Sequence, residues 1–212
     1  MLFLPNMFKI AGELSPCVMH VSSRAVGSHA LTIYADHNDV MSVRAAGWAI
    51  TCSNSVQECA DMALVSHVAT FRTRLPFLHF FDGFRTSHEI SKVDLPSYEQ
   101  MRGLIPWEDI QLHRARSLNP QHPRVIGTID GPDVFMQIEE RSNEFYIRAP
   151  EIIEGVMRDV EKVVGRSYHC FDYYGHPEAD RVIVIMGSSA SVVEESIEYA
   201  CFRWDKRERE RE

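Results

Sequence analysis

A chain of 212 residues with a formal net charge of −8 lacks the basic surplus on which general nucleic-acid binding rests. Its 45% apolar and 25% charged residues are typical of a soluble globular protein. No apolar run approaches the about 20 residues needed to cross a bilayer, so neither nucleic acid nor membrane is an expected partner.

The opening Met1–Asn6 is apolar but short, without the basic region and small-residue cleavage site of a signal peptide. It reads as the interior of a buried element. The five cysteines, at 17, 52, 59, 170 and 201, form no Cys-x-x-Cys pair and match no zinc or iron–sulfur spacing. Such a set points to reduced thiols in an intracellular compartment, and the apolar surroundings of Cys17 and Cys52 mark them as packing groups.

In chain order, Pro5–Ala11 reads as the end of a helix stopped by Gly12. Cys17–Ser22 is an apolar strand that turns polar at Ser23-Arg24. Ala30–Tyr34 is apolar and of undecided type. Asp36-His37-Asn38-Asp39 suits a helix start, because Asp and Asn side chains accept hydrogen bonds from free backbone N–H groups. The helix is expected over Val40–Ala46, ending at Gly47, with the next strand at Trp48–Cys52. Ser55-Val56-Gln57-Glu58 has the form of a capping box. The helix it opens carries Val56, Ala60, Ala63/Leu64, Val68 and Phe71 at helical spacing. His67 borders that stripe and reads as a structural histidine rather than a ligand.

Pro76 admits the most informative stretch. Phe77–Phe81 is a short apolar run, with His79 in its middle, and Asp82-Gly83 ends it abruptly, the pattern of a strand buried on both faces of a parallel sheet. The alternation of strands and helices predicts an α/β fold with a parallel, helix-covered sheet. Sites in such folds lie beyond the carboxyl ends of the strands. That is where Arg24 and the run Arg85-Thr86-Ser87-His88-Glu89 fall, although a plain strand exit would look the same.

From Ile90 to Pro150 six prolines break the pattern into short helices and loops around the sheet. Glu151–Val164 is a helix with Pro150 in its first turn and Gly165 at its end; its face is Ile152/Ile153, Val156/Met157, Val160 and Val163/Val164. Gly155 inside it costs on the order of 1 kcal/mol relative to Ala. Tyr168–Asp180 reads as a linker, Arg181–Met186 as a buried strand and Ser191–Ala200 as a helix. One strand and one helix make only the beginning of a second α/β unit. The alternating charge of residues 201–212 is expected as solvated helix or disorder, and the Arg-Glu repeat as non-native sequence.

Several of these blocks stand in an order that closely resembles the pyruvate:ferredoxin (flavodoxin) oxidoreductase family. They are Pro5–Leu14, His20-Val21 through Arg24-Ala25, Asp36–Asp39, Ser55–Glu58, Pro76–Glu89, Asn119–Pro123 and Val182–Ser189. The run Phe80-Phe81-Asp82-Gly83-Phe84-Arg85-Thr86-Ser87-His88-Glu89 is the most characteristic. The resemblance implies a fragment of an enzyme that decarboxylates pyruvate with thiamine diphosphate and Mg, passes acetyl to coenzyme A, and sends electrons through iron–sulfur clusters to ferredoxin or flavodoxin. It further implies a homodimeric parent in the cytoplasm or a hydrogenosome-like organelle. Residues 1–167 would be part of the thiamine pyrimidine-binding domain, which in the parent is thiamine diphosphate-binding-like in fold. Residues 168–200 would begin a transketolase C-terminal-like domain.

Arg24 occupies the substrate-contacting arginine of the family's His-Val-x-x-Arg-Ala block, and a planar guanidinium suits a 2-oxo acid carboxylate. Arg85 and His88 have no matching role and are expected to make structural hydrogen bonds. The family's pyrimidine-activating glutamate, its metal- and diphosphate-binding domain and its cluster cysteines fall outside the matched segment. The chain alone is therefore expected to be inactive, with no catalytic residue of its own. Two other readings stand beside this one: a module that docks on full-length subunits through its open sheet, and a non-functional gene fragment.

Overall fold

The computed structural model describes residues 2–209 except Ser28, Ala30, Leu31 and 126–128, and the side chains of 202–209 are also left aside. The apolar stretch expected over Ala30–Tyr34 therefore lies partly outside the described residues. The architecture is α/β, as the alternation predicts. Three parallel strands, β1 (Val18–Ser23), β2 (Ala49–Ser53) and β3 (Phe77–Asp82), form an open sheet. The last strand in sequence sits in the middle, in the order β1-β3-β2, with Val18 and Ala49 both in register with Phe77.

The position of β3 explains its composition. A central strand has helices on both faces, so both sets of alternating side chains must be apolar. Phe77 faces a core made with α3 (Val56–Thr73) and α6 (Phe135–Val164), where Val65, Val156 and Val160 are fully buried. Leu78 and Phe80 face the opposite core, made with α1 (Leu4–Gly12) and the short elements α2 (Asn38–Met41) and the 3₁₀ turn Arg44–Ala46. Met7, Ala11 and Val40 pack there, and Trp48 donates its indole N–H to the Met7 carbonyl at 2.9 Å. Cys17 and Cys52 pack half-buried against this second core.

The opening of α3 follows its capping residues. The Ser55 hydroxyl accepts from the Glu58 amide at 3.2 Å, while the Glu58 carboxylate turns back to the Asn54 amide. The buried residues of α3 are not the expected stripe. Of that stripe only Val68 is buried, together with Asp61, Met62, Val65, Ser66, Ala69, Thr70 and Thr73. The reason is that α3 is clamped between the sheet and α6, so its buried surface is wide and partly polar. Asp61, only 1% exposed, takes two bonds from Arg166, at 2.7 and 3.0 Å, and one from the Tyr168 hydroxyl. Those bonds tie the chain after α6 to the core.

Three expectations give way. The helix expected over Val40–Ala46 is split into α2 and the 3₁₀ turn. Helix α6 begins at Phe135 rather than Glu151, so Pro150 lies inside it instead of in its first turn. An interior proline costs about 3 kcal/mol; the packing of Ala149, Val156, Met157 and Val160 outweighs that loss. The region before it still holds short helices, α4 (Tyr98–Leu104) and α5 (Trp107–Ala115), and the Asn119–Pro123 turn. Finally, Arg181–Met186 forms no strand: no described strand pairs with it, and Val184 is 86% exposed. Its apolar side chains are left 38% to 86% exposed. The helix that follows, α7 (Ser189–Arg209), starts two residues earlier than expected and continues into the charged tail.

Candidate functional site at the carboxyl ends of the strands

The three strands end at Ser23, Ser53 and Asp82, side by side and all buried. Arg24 is the first residue past β1. Its path is fixed by its neighbours rather than by its own charge. The Ser23 hydroxyl lies 2.8 Å from the Asp36 carbonyl oxygen and 2.6 Å from an Asp39 carboxylate oxygen, with its one proton shared between these acceptors. Asp39 also accepts the Arg24 amide at 3.0 Å, and Asn38 accepts the Val26 amide. The run Asp36–Asp39 thus does more than start a helix: α2 has no side-chain cap, and Asn38 and Asp39 are turned onto the exit of β1. Capping needs only one of these side chains, and the surplus polar residues were the signal that sequence reading left unused.

On the other side Gly83 lets the chain pass close to Arg24. A Cβ at Gly83 would stand 2.4 Å from the Arg24 Cγ and 2.6 Å from the Ser23 carbonyl oxygen. The Gly83 amide donates to that same carbonyl at 2.8 Å. Asp39 holds the Arg24 backbone, not its guanidinium. The buried Nε of Arg24 is left without a hydrogen-bond partner. A buried guanidinium N–H in that state costs free energy until something accepts from it. Thr86, just past β3 and 4% exposed, likewise has an unpartnered hydroxyl.

Asp82 is the adjoining carboxylate, and it is fully engaged. His37 Nε2 lies 2.7 Å from it, and the Ser188 amide donates at 2.8 Å, with the Ser188 hydroxyl bound to the same oxygen. Burial pushes this carboxyl up, but the Ser188 hydroxyl, His37 and the Ser188 amide pull harder, leaving it below the usual aspartate value. Gly187, at φ +81°, brings the backbone so near that a Cβ would sit 2.9 Å from the carboxylate. Only glycine takes both that conformation and that approach without strain. Asp82 is therefore saturated by the protein, and Arg24 is not.

A second polar chain crosses the α3 side of the sheet. The Ser53 hydroxyl is 2.7 Å from His79 Nε2, His79 Nδ1 is 2.9 Å from His20 Nδ1, and His20 Nε2 is 3.3 Å from His67 Nε2. Burial drives His79 down to about 4, with His20 and His67 adding to the effect. His67 is thus held by another side chain, as a structural histidine. Arg85 pairs with Glu89 at 2.8 Å, and His88 meets the Ser87 hydroxyl, both at the surface. These are structural contacts, and they do not join Arg24. Among the described residues no group of three or more His, Cys, Asp or Glu side chains is placed to hold a metal ion.

The family model described as pyruvate flavodoxin/ferredoxin oxidoreductase, thiamine diphosphate-binding, matches residues 1–158. The pyruvate:ferredoxin oxidoreductase of Moorella thermoacetica is 52% identical over 97% of this chain, which spans 18% of that protein. The pyruvate dehydrogenase [NADP(+)] of Cryptosporidium parvum is 51% identical over 94% of the chain and 10% of its own length. The pyruvate-flavodoxin oxidoreductase of Trichormus variabilis is 48% identical over 94% of the chain and 17% of its own length. The chain is thus a small part of the length of the relatives it matches, and it belongs to the pyruvate flavodoxin/ferredoxin oxidoreductase family, within that family's thiamine diphosphate-binding domain.

Proposed function

We propose that the polypeptide of which this chain is a part oxidatively decarboxylates pyruvate, and that Arg24 holds the carboxylate of the 2-oxo acid. The observation that carries the assignment is the buried, unpartnered Nε of Arg24 at the strand ends. A carboxylate accepts two parallel hydrogen bonds from a guanidinium and would supply the missing partner. Asp39 and Gly83 fix where the Arg24 side chain leaves the sheet.

The family's cofactor, thiamine diphosphate with Mg, supplies the electron sink for decarboxylation when bound. The residues present fit the acid end of the substrate, and none is assigned to the diphosphate or the metal. Coenzyme A as acetyl acceptor, ferredoxin or flavodoxin as electron acceptor, iron–sulfur clusters, a homodimeric parent and a cytoplasmic or hydrogenosome-like location belong to the same proposal. The start of a transketolase C-terminal-like domain near residue 168 does too. No helix among the described residues is long and apolar enough to cross a membrane. With the activating glutamate and the metal site elsewhere, the 212-residue chain is inactive by itself.

The test is Arg24→Lys and Arg24→Ala in the intact parent. Both variants are expected to lower kcat/KM for pyruvate by roughly tenfold to a hundredfold, corresponding to a charged hydrogen bond lost. Lysine restores little, because it lacks the planar fork. Unchanged kcat/KM in both variants removes Arg24 from the site.

A second reading rests on the exposed run Val182–Met186, whose side chains are 38% to 86% exposed. Such a segment pairs with whatever completes its sheet, so the chain would dock on a full-length subunit. Co-purification of the chain with the full-length parent supports that reading, and its failure removes it.

A further inference from the structure

At the opposite end of the strands from Arg24 lies a hollow of about 330 Å³, within the range of small-molecule sites. Glu13, Leu14 and Ser15, before β1, form one wall, and Arg74, before β3, forms another. His113 and Arg116, at the end of α5, and Arg124 complete it. Three guanidinium groups and an imidazole thus line a hollow in which, among the described lining residues, the only acidic side chain is Glu13, which pairs with Lys9 at 3.6 Å.

The position of Arg74 is the least expected. It caps α3 in the left-handed conformation, φ 62°, a place normally taken by glycine. Its guanidinium lies 4.8 Å above the ring of Phe145, and its Nε is buried with no hydrogen-bond partner. Burial and the nearby charges of Arg116, Arg124 and Arg141 hold this guanidinium below its ordinary value. No described carboxylate forms an ion pair with any of these four arginines. Like charges gathered in a concave site, with one donor buried and unused, are stabilised when an anion enters.

We propose that this hollow binds a multiply charged phosphate-type oxyanion, the diphosphate or phosphate group of a free small molecule, with Arg74, Arg116 and Arg124 as its donors. The site is independent of the pyruvate assignment, because it lies across the sheet from Arg24 and shares no residue with it. A phosphate-type anion fits better than a single carboxylate: three forked donors offer more hydrogen bonds than two oxygens can accept.

The test is calorimetric titration of the full 212-residue chain with inorganic diphosphate at constant ionic strength. Saturable one-to-one binding is expected. Arg116→Gln combined with Arg124→Gln should weaken it by roughly tenfold for each guanidinium removed. Both side chains are outside the buried core, so circular dichroism should be unchanged. Arg148→Gln, which removes one guanidinium from a surface pair with Glu144, should leave binding intact where either Arg116→Gln or Arg124→Gln alone weakens it. The proposal is overturned if the unsubstituted chain shows no saturable binding, or if Arg148→Gln weakens it as much as either single variant does.

Discussion

Phe77–Asp82 and Val182–Met186 are nearly the same kind of sequence, and they meet opposite fates. The first is the central strand of the sheet, with Phe77 and Phe80 fully buried. The second forms no strand and leaves Val184 86% exposed. Neither propensity nor hydrophobicity separates the two. What separates them is supply: β3 has β1 and β2 on its edges and α1, α3 and α6 over its faces, while Val182–Met186 has no described partner on either count. An apolar string records a demand for partners; whether the chain contains them is a property of the fold.

Truncation of one residue in each string gives the sharpest contrast. Phe77→Ala leaves a cavity among Val65, Val156 and Val160 and is expected to cost about 3–5 kcal/mol. Val184→Ala touches nothing buried and should stay within about 0.5 kcal/mol. Urea unfolding of both variants of the 212-residue chain measures the difference. Equal losses would mean that Val182–Met186 has a packed partner after all.

Much of the fold was legible because short-range rules were obeyed. Ser55 and Glu58 do satisfy the first turn of α3, and Asp82-Gly83 does end β3. The misses share a cause: tertiary packing overrode a local rule. Pro150 is a good first-turn residue, yet α6 runs through it because the packing of its second half against α3 outweighs one lost backbone bond. Asn38 and Asp39 are good caps, yet they hold the exit of β1 instead. Of the candidate site, Arg24 and the strand-end location were visible in the pattern. The saturation of Asp82 by His37 and Ser188 was not, since those partners lie 45 and 106 residues away in sequence.

The histidine chain offers an intermediate effect confined to the sheet. His79 is buried and neutral, with its value driven from an ordinary 6.5 down to about 4. The unfolded chain therefore binds more protons than the folded one between those values, and stability must fall as pH is lowered through that window. The loss is expected to reach roughly 3 kcal/mol near pH 4 from this one residue, at about 1.4 kcal/mol per pH unit. Asp82, whose carboxyl is held below its ordinary value, adds a further loss that begins as pH falls through the ordinary aspartate range and continues below it. His79→Gln should therefore flatten the curve between pH 6.5 and 4 while leaving the steeper fall below it. A curve with unchanged slope in His79→Gln would mean that the imidazole titrates normally.

Gly155 gives the smallest effect, and it runs the other way. It lies within α6, where glycine costs about 1 kcal/mol relative to alanine through backbone entropy. Elsewhere a glycine earns its place through contact: a Cβ at Gly83 or Gly187 would strike Arg24 or Asp82. At Gly155 the nearest atom a Cβ would meet is an Arg158 side-chain nitrogen at 3.8 Å, an ordinary contact at the end of a flexible arm. Gly155→Ala should thus stabilise the 212-residue chain by about 1 kcal/mol in urea unfolding. If the same substitution destabilises the intact parent, the space above Gly155 is occupied there by another part of the polypeptide. A gain in both would place this face of α6 in solvent, and would confine the demand for outside partners to the segment around Val184.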